Sequence, residues 1–213
     1  MKIKWLGHAC FLLTSQSGVR VLTDPFDDQV GYELPDEEAD IVTTSHGHYD
    51  HNNTGIVKGD FKHFDGPGEF CEKDISIKGI STFHDEFMGT KRGMNIIYKF
   101  GIDDLNICHC GDLGHILTPE LVMEIGKVDV LLIPIGGIYT VDALEAYKVL
   151  GQLKPAVTIP MHFQTDALKF KLGSVEKFLD IAGGGGVKVG KQEIELNMGN
   201  LECNAGIKVL DYK

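Results

Sequence analysis

The order of apolar and polar positions predicts that the first half of the chain is built mainly from β-strands. Residues 2–24 give three apolar runs separated by polar turns, a pattern typical of a β-hairpin or a β-meander. Residues 39–44 form a short run rich in β-branched side chains, which predicts a buried strand. Residues 74–81 alternate apolar and polar side chains, and residues 94–110 predict a hairpin. The first half is therefore expected to be β-rich.

The second half predicts an alternation of helices and strands. Thr118 followed by Pro119 is typical of a helix start, with threonine as the N-cap and proline at the first helical position. The continuous apolar run over 128–135 predicts a strand that is covered on both faces. The other expected elements are a helix over 140–153, a strand over 155–160, a helix over 174–182 and a strand around Val187 and Ile194. The tail, residues 199–213, has no decisive pattern.

Side chains of metal-ligand type follow directly after several predicted strands. The densest group is the segment 46–51, which holds three histidines and one aspartate. Imidazole nitrogens and carboxylate oxygens are the ligands that a divalent ion such as zinc accepts. The candidates are His46, His48, Asp50, His51, His84, Asp112 and His162. Because strand ends along one sheet edge make a rigid frame, this pattern predicts a metal centre.

The spacing His46-x-His48-x-Asp50-His51 resembles the signature of the metallo-β-lactamase superfamily, and the later candidates follow in that family's order. The resemblance covers about residues 3–195. It implies an α+β fold, a four-layer αββα sandwich of two mixed β-sheets with helices on both outer faces. A single hydrolase domain over residues 1–213 is expected. Periodicity by itself predicts only mixed α and β structure.

By the same resemblance, seven side chains would hold two divalent metal ions. The first ion would bind to His46, His48 and His84, the second to Asp50, His51 and His162, and Asp112 would bridge them. Zinc is the expected metal, although the same ligand types accept manganese or iron. Two ions about 3.5–4 Å apart can share a hydroxide and clamp the attacking and leaving oxygens. The implied function is therefore metal-dependent hydrolysis.

The expected substrate is a small lactone, ester or phosphodiester attacked by the metal-bridging hydroxide, with Asp50 and Asp112 catalytic as ligands. The segment 84–95 is similar to a subgroup that includes ascorbate-phosphate lactonases, in which a ligand histidine precedes an arginine and an asparagine. Arg92 is therefore a candidate for binding a substrate phosphate or carboxylate. His115 is a candidate proton donor to the leaving group. A surface-loop position is the alternative for both.

Other polar side chains carry weaker assignments. His8 is a candidate either for lining the pocket or for supporting a ligand, with an ordinary strand-end imidazole as the alternative. His109 is expected in the core or behind a ligand, and His63 at the surface. Asp142 is expected to support the start of its helix. Tyr139 is expected to pack as an aromatic side chain rather than to contact substrate.

The net charge limits the kinds of molecule that the protein is expected to bind. A formal net charge of −11 argues against general affinity for nucleic acid or for an anionic membrane surface. A small anionic molecule is the expected substrate, and the oligomeric state, including a homo-oligomer, is left open. Alternatives are a nuclease of the same superfamily, a redox protein with iron at these ligands, and a non-catalytic metal-binding domain. The acidic segment 25–38 is expected to be a solvated face.

The expected compartment is the cytoplasm. The five cysteines show no regular metal or disulfide spacing, which predicts reduced and mostly buried thiols. The chain begins directly with a predicted strand, and it contains no apolar run long enough to span a bilayer. No membrane partner is therefore expected.

Overall fold

Two mixed β-sheets and three α-helices make up the fold, in a computed structural model that describes all 213 residues. The strands are β1 (Lys2–Gly7), β2 (Cys10–Thr14), β3 (Arg20–Thr23), β4 (Ile41–Thr43), β5 (Lys62–Phe64), β6 (Gly68–Glu72), β7 (Ile75–Phe83), β8 (Met94–Ile102), β9 (Leu105–His109), β10 (Val130–Pro134), β11 (Val157–Met161), β12 (Val187–Lys188), β13 (Glu193–Glu195) and β14 (Gly206–Val209). The helices are α1 (Pro119–Ile125), α2 (Ala143–Leu153) and α3 (Val175–Ile181), with short 3-10 turns at Thr54–Ile56 and Glu202–Asn204. The expected α+β sandwich of two mixed sheets is confirmed.

The smaller sheet has six strands in the order β13-β1-β2-β3-β4-β5. Strands β1, β2 and β3 form the antiparallel meander that residues 2–24 predict. Strands β4 and β5 then add in parallel. Parallel neighbours require crossover connections, and the second crossover, residues 44–61, carries the histidine-rich segment.

The larger sheet has eight strands in the order β12-β14-β11-β10-β9-β8-β7-β6. Strands β6 to β9 are antiparallel, whereas β9, β10, β11, β14 and β12 run in parallel. Helix α1 connects β9 to β10, and α2 connects β10 to β11. Every residue of β10 is buried, which agrees with its continuous apolar run.

The inward faces of the two sheets share one apolar core. Trp5 and Phe11 alternate with outward-facing neighbours along β1 and β2 and lie in the same cluster as Tyr98 and Phe100 of β8. All four side chains are almost completely buried. Helix α2 adds Ala146 to this cluster. The packed core fixes the strand ends from which the candidate ligands project.

Irregular segments cover the outer face of the smaller sheet. Here Leu12 and Leu22 pack with Phe26 from the first crossover and with Leu168 from the segment after β11. No residue of an α-helix belongs to this second cluster. The acidic segment 25–38 is thus only partly the solvated face that was expected, because Phe26, Val30 and Tyr32 are buried whereas its acidic side chains are exposed or half-buried.

Two short strands near the C-terminus differ from the prediction. The single strand expected around Val187 and Ile194 is two strands, β12 at the edge of the larger sheet and β13 at the edge of the smaller one. The tail contributes β14, which lies between β12 and β11. Strands of two to four residues carry too little periodicity to be recognised locally, since their pairing partners define them.

Two of the helices begin where capping residues predict. The hydroxyl of Thr118 accepts a hydrogen bond from the first turn of α1, and Pro119 occupies the first helical position. Asp142 and Glu145 form a reciprocal capping box at the start of α2. The expected role of Asp142 at its helix N-terminus is therefore confirmed. None of the helices has both the length and the apolar character needed to cross a membrane.

All five cysteines are free thiols, as the sequence predicts. Cys10, Cys108 and Cys110 are buried, whereas Cys71 and Cys203 are exposed. Burial raises the pKa of the Cys10 thiol well above its ordinary value, which keeps it protonated and unreactive. The three buried thiols therefore belong to the packing rather than to the candidate site.

Candidate metal centre

Six strands end close together and deliver polar side chains to one edge of the sandwich. The residues that follow these strands within a few positions are His8, Asp24, His46, His84, Asp112 and His162. Three of them, His8, Asp24 and His162, have positive φ angles of 52°, 42° and 51°. Such angles are strained for residues other than glycine and persist only where the surroundings enforce them. One enforcing contact is the 3.1 Å hydrogen bond from the His162 amide to the His8 carbonyl.

His46, His48 and His84 form the first cluster of imidazoles. Their candidate ligand nitrogens lie within 4.8 Å of one another. The ring centroid of His46 lies 4.6 Å from that of His48 and 4.7 Å from that of His84. Burial, reinforced by His51, lowers the pKa of His46 to about 3. The ring is therefore neutral at pH 7, the form in which an imidazole binds a metal.

Asp50, His51 and His162 form the second cluster, together with His8. The candidate ligand atoms of these four residues also lie within 4.8 Å of one another. Nε2 of His51 is 3.7 Å from Oδ2 of Asp50. Burial alone would raise the pKa of Asp50, but His51 and His8 hold it well below its usual range. The structure thus brings together the residues that the resemblance assigns to a second ion.

Asp112 lies between the two clusters. Its Oδ2 is 3.2 Å from Nε2 of His84, and its Oδ1 is 3.2 Å from Nε2 of His51. Nε2 of His162 is 3.4 Å from the same Oδ1. Burial alone would raise the pKa of Asp112, but His162 and His51 hold it well below its usual range. A charged carboxylate therefore faces both clusters.

A glycine and an asparagine fix the position of Asp112. Gly111 has a φ of +53°, and a Cβ at this position would lie 2.4 Å from Oδ1 of Asn95 and 2.5 Å from Cβ of Ser45. Only glycine fits that turn without displacing both neighbours. Oδ1 of Asn95 accepts a 2.8 Å hydrogen bond from the Asp112 amide, and its Nδ2 donates to Thr82. The buried Asn95 thus supports the turn that presents the carboxylate.

The buried atoms of these clusters fit divalent ions. Nε2 of His51 and Oδ1 of Asp112 lie close together, but they do not form a hydrogen bond with each other. Fully buried atoms without a hydrogen-bond partner include Nε2 of His46, Nε2 of His51, Nδ1 of His84, Oδ1 of Asp112 and both ring nitrogens of His162. Each such atom costs about 1–3 kcal/mol when nothing satisfies it. Nitrogen and oxygen atoms facing one another in this way are the donor set that a divalent ion takes.

Asp24 is a site residue that sequence reasoning did not identify. Its fully buried Oδ2 accepts a 2.8 Å hydrogen bond from Nδ1 of His51. Ser45 donates to the same carboxylate from its amide at 2.7 Å and from its hydroxyl at 2.6 Å. Burial alone would raise the pKa of Asp24, but the bond from His51 lowers it below its ordinary value. The sequence does carry a signal, because Asp24 follows a predicted strand directly, as the candidate ligands do.

His8 supports the second cluster from behind. Its ring is fully buried, its Nε2 is 3.2 Å from Oδ2 of Asp50, and its centroid is 4.1 Å from that of His162. The His8 carbonyl accepts a 3.0 Å hydrogen bond from Nε1 of Trp5. Burial, reinforced by His162, lowers the pKa of His8 to about 4. The neutral ring can therefore donate one N–H to Asp50.

A cavity of about 550 Å³ opens over the two clusters. Four of the candidate ligands contribute to its walls: His48, Asp50, His84 and Asp112. The other lining residues are Gly47, Tyr49, Arg92, Tyr139 and Phe170. Tyr139 therefore faces the cavity and is 42% exposed, rather than packing away as an ordinary aromatic side chain.

A loop wound around Asp85 carries Arg92 to this cavity. The buried carboxylate of Asp85 accepts four backbone hydrogen bonds of 2.8–3.0 Å, from the amides of Phe87, Gly89, Lys91 and Arg92. Burial alone would raise the pKa of Asp85, but these bonds lower it below its ordinary value. The Arg92 guanidinium lies 5.6 Å from the ring centroid of Tyr139, and its Nη2 donates to the Ile138 carbonyl at 2.9 Å.

The remaining histidines lie outside the cavity. Nε2 of His115 accepts a 3.3 Å hydrogen bond from the Phe83 amide, and its Nδ1 donates to the Ile116 carbonyl at 2.9 Å. Both ring nitrogens are thus engaged, and the structure does not bring His115 into position as a proton donor. His109 is buried in the core, and His63 is exposed, as the sequence suggests.

Comparisons with known proteins identify the family of the chain. The family model of the β-lactamase superfamily domain matches residues 2–162. A UPF0173 metal-dependent hydrolase of Thermoplasma acidophilum is 32% identical, covering 92% of this chain and 96% of that protein. A second one, of Carboxydothermus hydrogenoformans, is 33% identical and covers 78% of this chain and 85% of that protein.

A solved structure shows the same fold. It is that of a Thermotoga maritima protein described as a candidate zinc-dependent hydrolase of the metallo-β-lactamase superfamily. The two chains are 41% identical and superpose with a TM-score of 0.82. The superposition covers 98% of this chain and 97% of the other. On the family match, the shared identity and the shared fold, the chain belongs to the metallo-β-lactamase superfamily, among its metal-dependent hydrolases.

Proposed function

We propose that the protein is a dinuclear metal-dependent hydrolase, with zinc as the expected metal, that cleaves a small anionic lactone, ester or phosphodiester. The proposed ligands are His46, His48 and His84 for one ion and Asp50, His51 and His162 for the other, with Asp112 between them. The observation that carries the proposal is the position of Asp112. Its two carboxylate oxygens face different histidine clusters, each at 3.2 Å.

Two divalent ions held by these residues would lower the pKa of a bound water molecule toward neutrality and would polarise the group under attack. The hydrolysis adds the hydroxyl of water to the acyl or phosphoryl centre, breaks the bond to the leaving oxygen and delivers the remaining proton to that oxygen. Because both ring nitrogens of His115 are engaged, solvent is the proposed source of that proton. Neutral imidazoles leave the loaded site positively charged, which suits an anionic transition state.

Arg92 is proposed to bind the anionic group of the substrate. Its guanidinium is held at the cavity by the Tyr139 ring and by the Ile138 carbonyl. The N–H groups not used in these contacts present the forked geometry that matches phosphate or carboxylate. Asp24 is proposed to orient His51 through its 2.8 Å hydrogen bond to Nδ1, which leaves Nε2 to face the metal position.

Substitution of two candidate ligands tests the proposal. Metal-loaded wild type, Asp112→Ala and His48→Ala would be assayed on bis(4-nitrophenyl) phosphate, 4-nitrophenyl acetate and γ-butyrolactone. Each substitution is expected to lower turnover by at least roughly 1000-fold, because several kcal/mol of transition-state stabilisation is lost. His63→Ala, at an exposed histidine outside the cavity, is the matched control. Folded Asp112→Ala protein that keeps turnover within tenfold of wild type would overturn the mechanism.

A further inference from the structure

The part of the cavity wall that does not come from candidate ligands is almost entirely aromatic. Apart from Gly47, it consists of Tyr49, Tyr139, Phe170 and Arg92. The side chains of Tyr49 and Tyr139 are 49% and 42% exposed, which is a large exposure for aromatic residues beside a buried site. Exposed apolar surface that borders a cavity is typical of a ligand-binding wall.

The aromatic wall is held in place by contacts of its own. Tyr139 and Phe170 meet edge to face, with ring centroids 6.1 Å apart. Phe170 also meets the buried His8 ring edge to face at 5.7 Å. On its other side, Tyr139 stacks against Arg92 at 5.6 Å. The wall therefore connects the region behind the second cluster to the only lysine or arginine among the residues that line the cavity.

Outside the candidate ligands, the wall offers few hydrogen-bonding groups to a hydroxylated ligand, namely the hydroxyls of Tyr49 and Tyr139 and the guanidinium of Arg92. None of the nine lining residues is Ser, Thr, Asn, Gln or Lys. A sugar or polyol that enters such a cavity exchanges water hydrogen bonds for few protein partners, and each unpaired buried hydroxyl is costly. An aryl or other apolar group instead covers the aromatic rings and loses nothing. The lining thus discriminates between two kinds of organic anion.

We propose that Tyr49, Tyr139 and Phe170, which line the cavity together, form a subsite for an aromatic or apolar substituent next to the scissile bond. The substrate class is then an organic anion with an aryl or apolar group, rather than a sugar phosphate or other polyhydroxylated anion. This inference rests on the proposed hydrolase function and deepens it by naming the substrate class. Arg92, stacked on Tyr139, places the anion-binding group beside the apolar surface.

Probes that contain no carboxylic ester, lactone or phosphodiester bond test the subsite without the proposed turnover. The metal-loaded full chain would be titrated calorimetrically with phenylphosphonate, methylphosphonate and glucose 6-phosphate. Phenylphosphonate is expected to bind at least about tenfold more tightly than either of the other two. Phe170→Ala should reduce the preference for phenyl over methyl to about threefold or less and leave methylphosphonate affinity unchanged. Tyr139→Ala should reduce that preference to the same extent, and it should also lower the affinity for both phosphonates because it removes a contact that holds Arg92. Tyr147→Ala, at an exposed tyrosine of α2 that does not line the cavity, is the matched control.

The outcomes separate this inference from the proposed function. Equal affinity for phenyl and methyl probes, or tighter binding of glucose 6-phosphate, would overturn the subsite even if the enzyme hydrolyses esters. An unchanged phenyl preference in both Tyr139→Ala and Phe170→Ala would also overturn it. Conversely, a wild-type protein that shows the phenyl preference but cleaves no ester, lactone or phosphodiester supports the subsite and refutes the hydrolase.

Discussion

Nδ1 of His51 donates a 2.8 Å hydrogen bond to Oδ2 of Asp24, so a buried carboxylate stands directly behind the histidine that faces Asp112. The two partners are 27 residues apart in sequence. They meet because β3 and β4 pair in parallel and end side by side. The bond fixes which nitrogen of His51 points into the candidate site, and a carboxylate in this position raises the basicity of a ligand histidine.

Asp24→Ala is therefore expected to weaken binding of the second metal ion by about 10–100-fold. Asp24→Asn, which keeps an acceptor oxygen but no charge, should have a smaller effect. The measurement is competition for zinc against a chromophoric chelator. Asp36→Ala is the control, because this aspartate lies in the same crossover and its side chain is 81% exposed. Wild-type zinc affinity in folded Asp24→Ala would contradict the role.

Metal content distinguishes a dinuclear site from a mononuclear one. Wild-type protein, purified without chelator and reconstituted with zinc, is expected to carry two equivalents per chain. His84→Ala should carry about one, because it removes a proposed ligand of the first ion only. Elemental analysis measures both. Less than one equivalent bound to the reconstituted wild type would refute the proposed centre.

Two substitutions at His8 separate support from direct ligation. His8→Ala removes the group that lies 3.2 Å from Asp50 Oδ2 and is expected to lower occupancy of the second ion. His8→Gln keeps an N–H donor on a side chain of comparable reach and should restore much of that occupancy. Cobalt substitution followed by absorption spectroscopy reports on each ion. If both variants lose the same occupancy of the second ion, the imidazole itself is needed, and the support role is contradicted.

Asp85 is expected to hold the loop that carries Arg92. Asp85→Ala leaves four backbone amides without their acceptor, and the loss of these hydrogen bonds destabilises the loop. The loop should then open locally, and trypsin should cleave after Lys91 or Arg92 at least about tenfold faster. Peptide mapping by mass spectrometry identifies the site. Glu86→Ala, at the exposed neighbouring residue, is the control, and equal cleavage rates in the two variants would rule out this function.

Asp129 is expected to make stability depend on pH in the acidic range. Its Oδ2 accepts hydrogen bonds from the amide and the side chain of Asn106 at 2.8 and 2.9 Å, and Lys127 pairs with Oδ1 at 2.8 Å. Burial alone would raise the pKa of Asp129, but these contacts hold it below its ordinary value. A lowered pKa in the folded state adds stability that is present above the unfolded pKa, about 3.9, and is lost as pH falls through the folded pKa.

Asp129→Asn should therefore cost about 1 kcal/mol in the free energy of unfolding at pH 7. The difference from wild type should begin to shrink below about pH 4, where the unfolded carboxyl takes up its proton, and should continue to shrink until the folded carboxyl is protonated as well. Urea unfolding of metal-free protein at several pH values measures both. A difference between the two proteins that stays constant from pH 7 to pH 3 would be inconsistent with this account.

The sequence by itself determined that candidate metal ligands follow directly after predicted strands. An apolar run followed by His84, by Asp112 or by His162 is recognisable because it requires only the local order of residues. The segment 46–51 is recognisable for the same reason, and the capping signal at Asp142 placed the start of α2. Together with the family resemblance, these local signals predicted two mixed sheets and the grouping of the candidate ligands.

Only the tertiary structure decided which other side chains join the site. His8 and Asp24 each follow a predicted strand in the sequence, but strand pairing and strained backbone angles are what bring them to the second cluster. Arg92 and His115 have equal standing in the sequence, but the loop around Asp85 carries the first to the cavity while backbone hydrogen bonds engage both nitrogens of the second. Likewise, the short C-terminal strands exist only because distant strands offer them partners. Contacts between residues far apart in sequence depend on how the sheets pair, and that is what the local order of residues leaves undetermined.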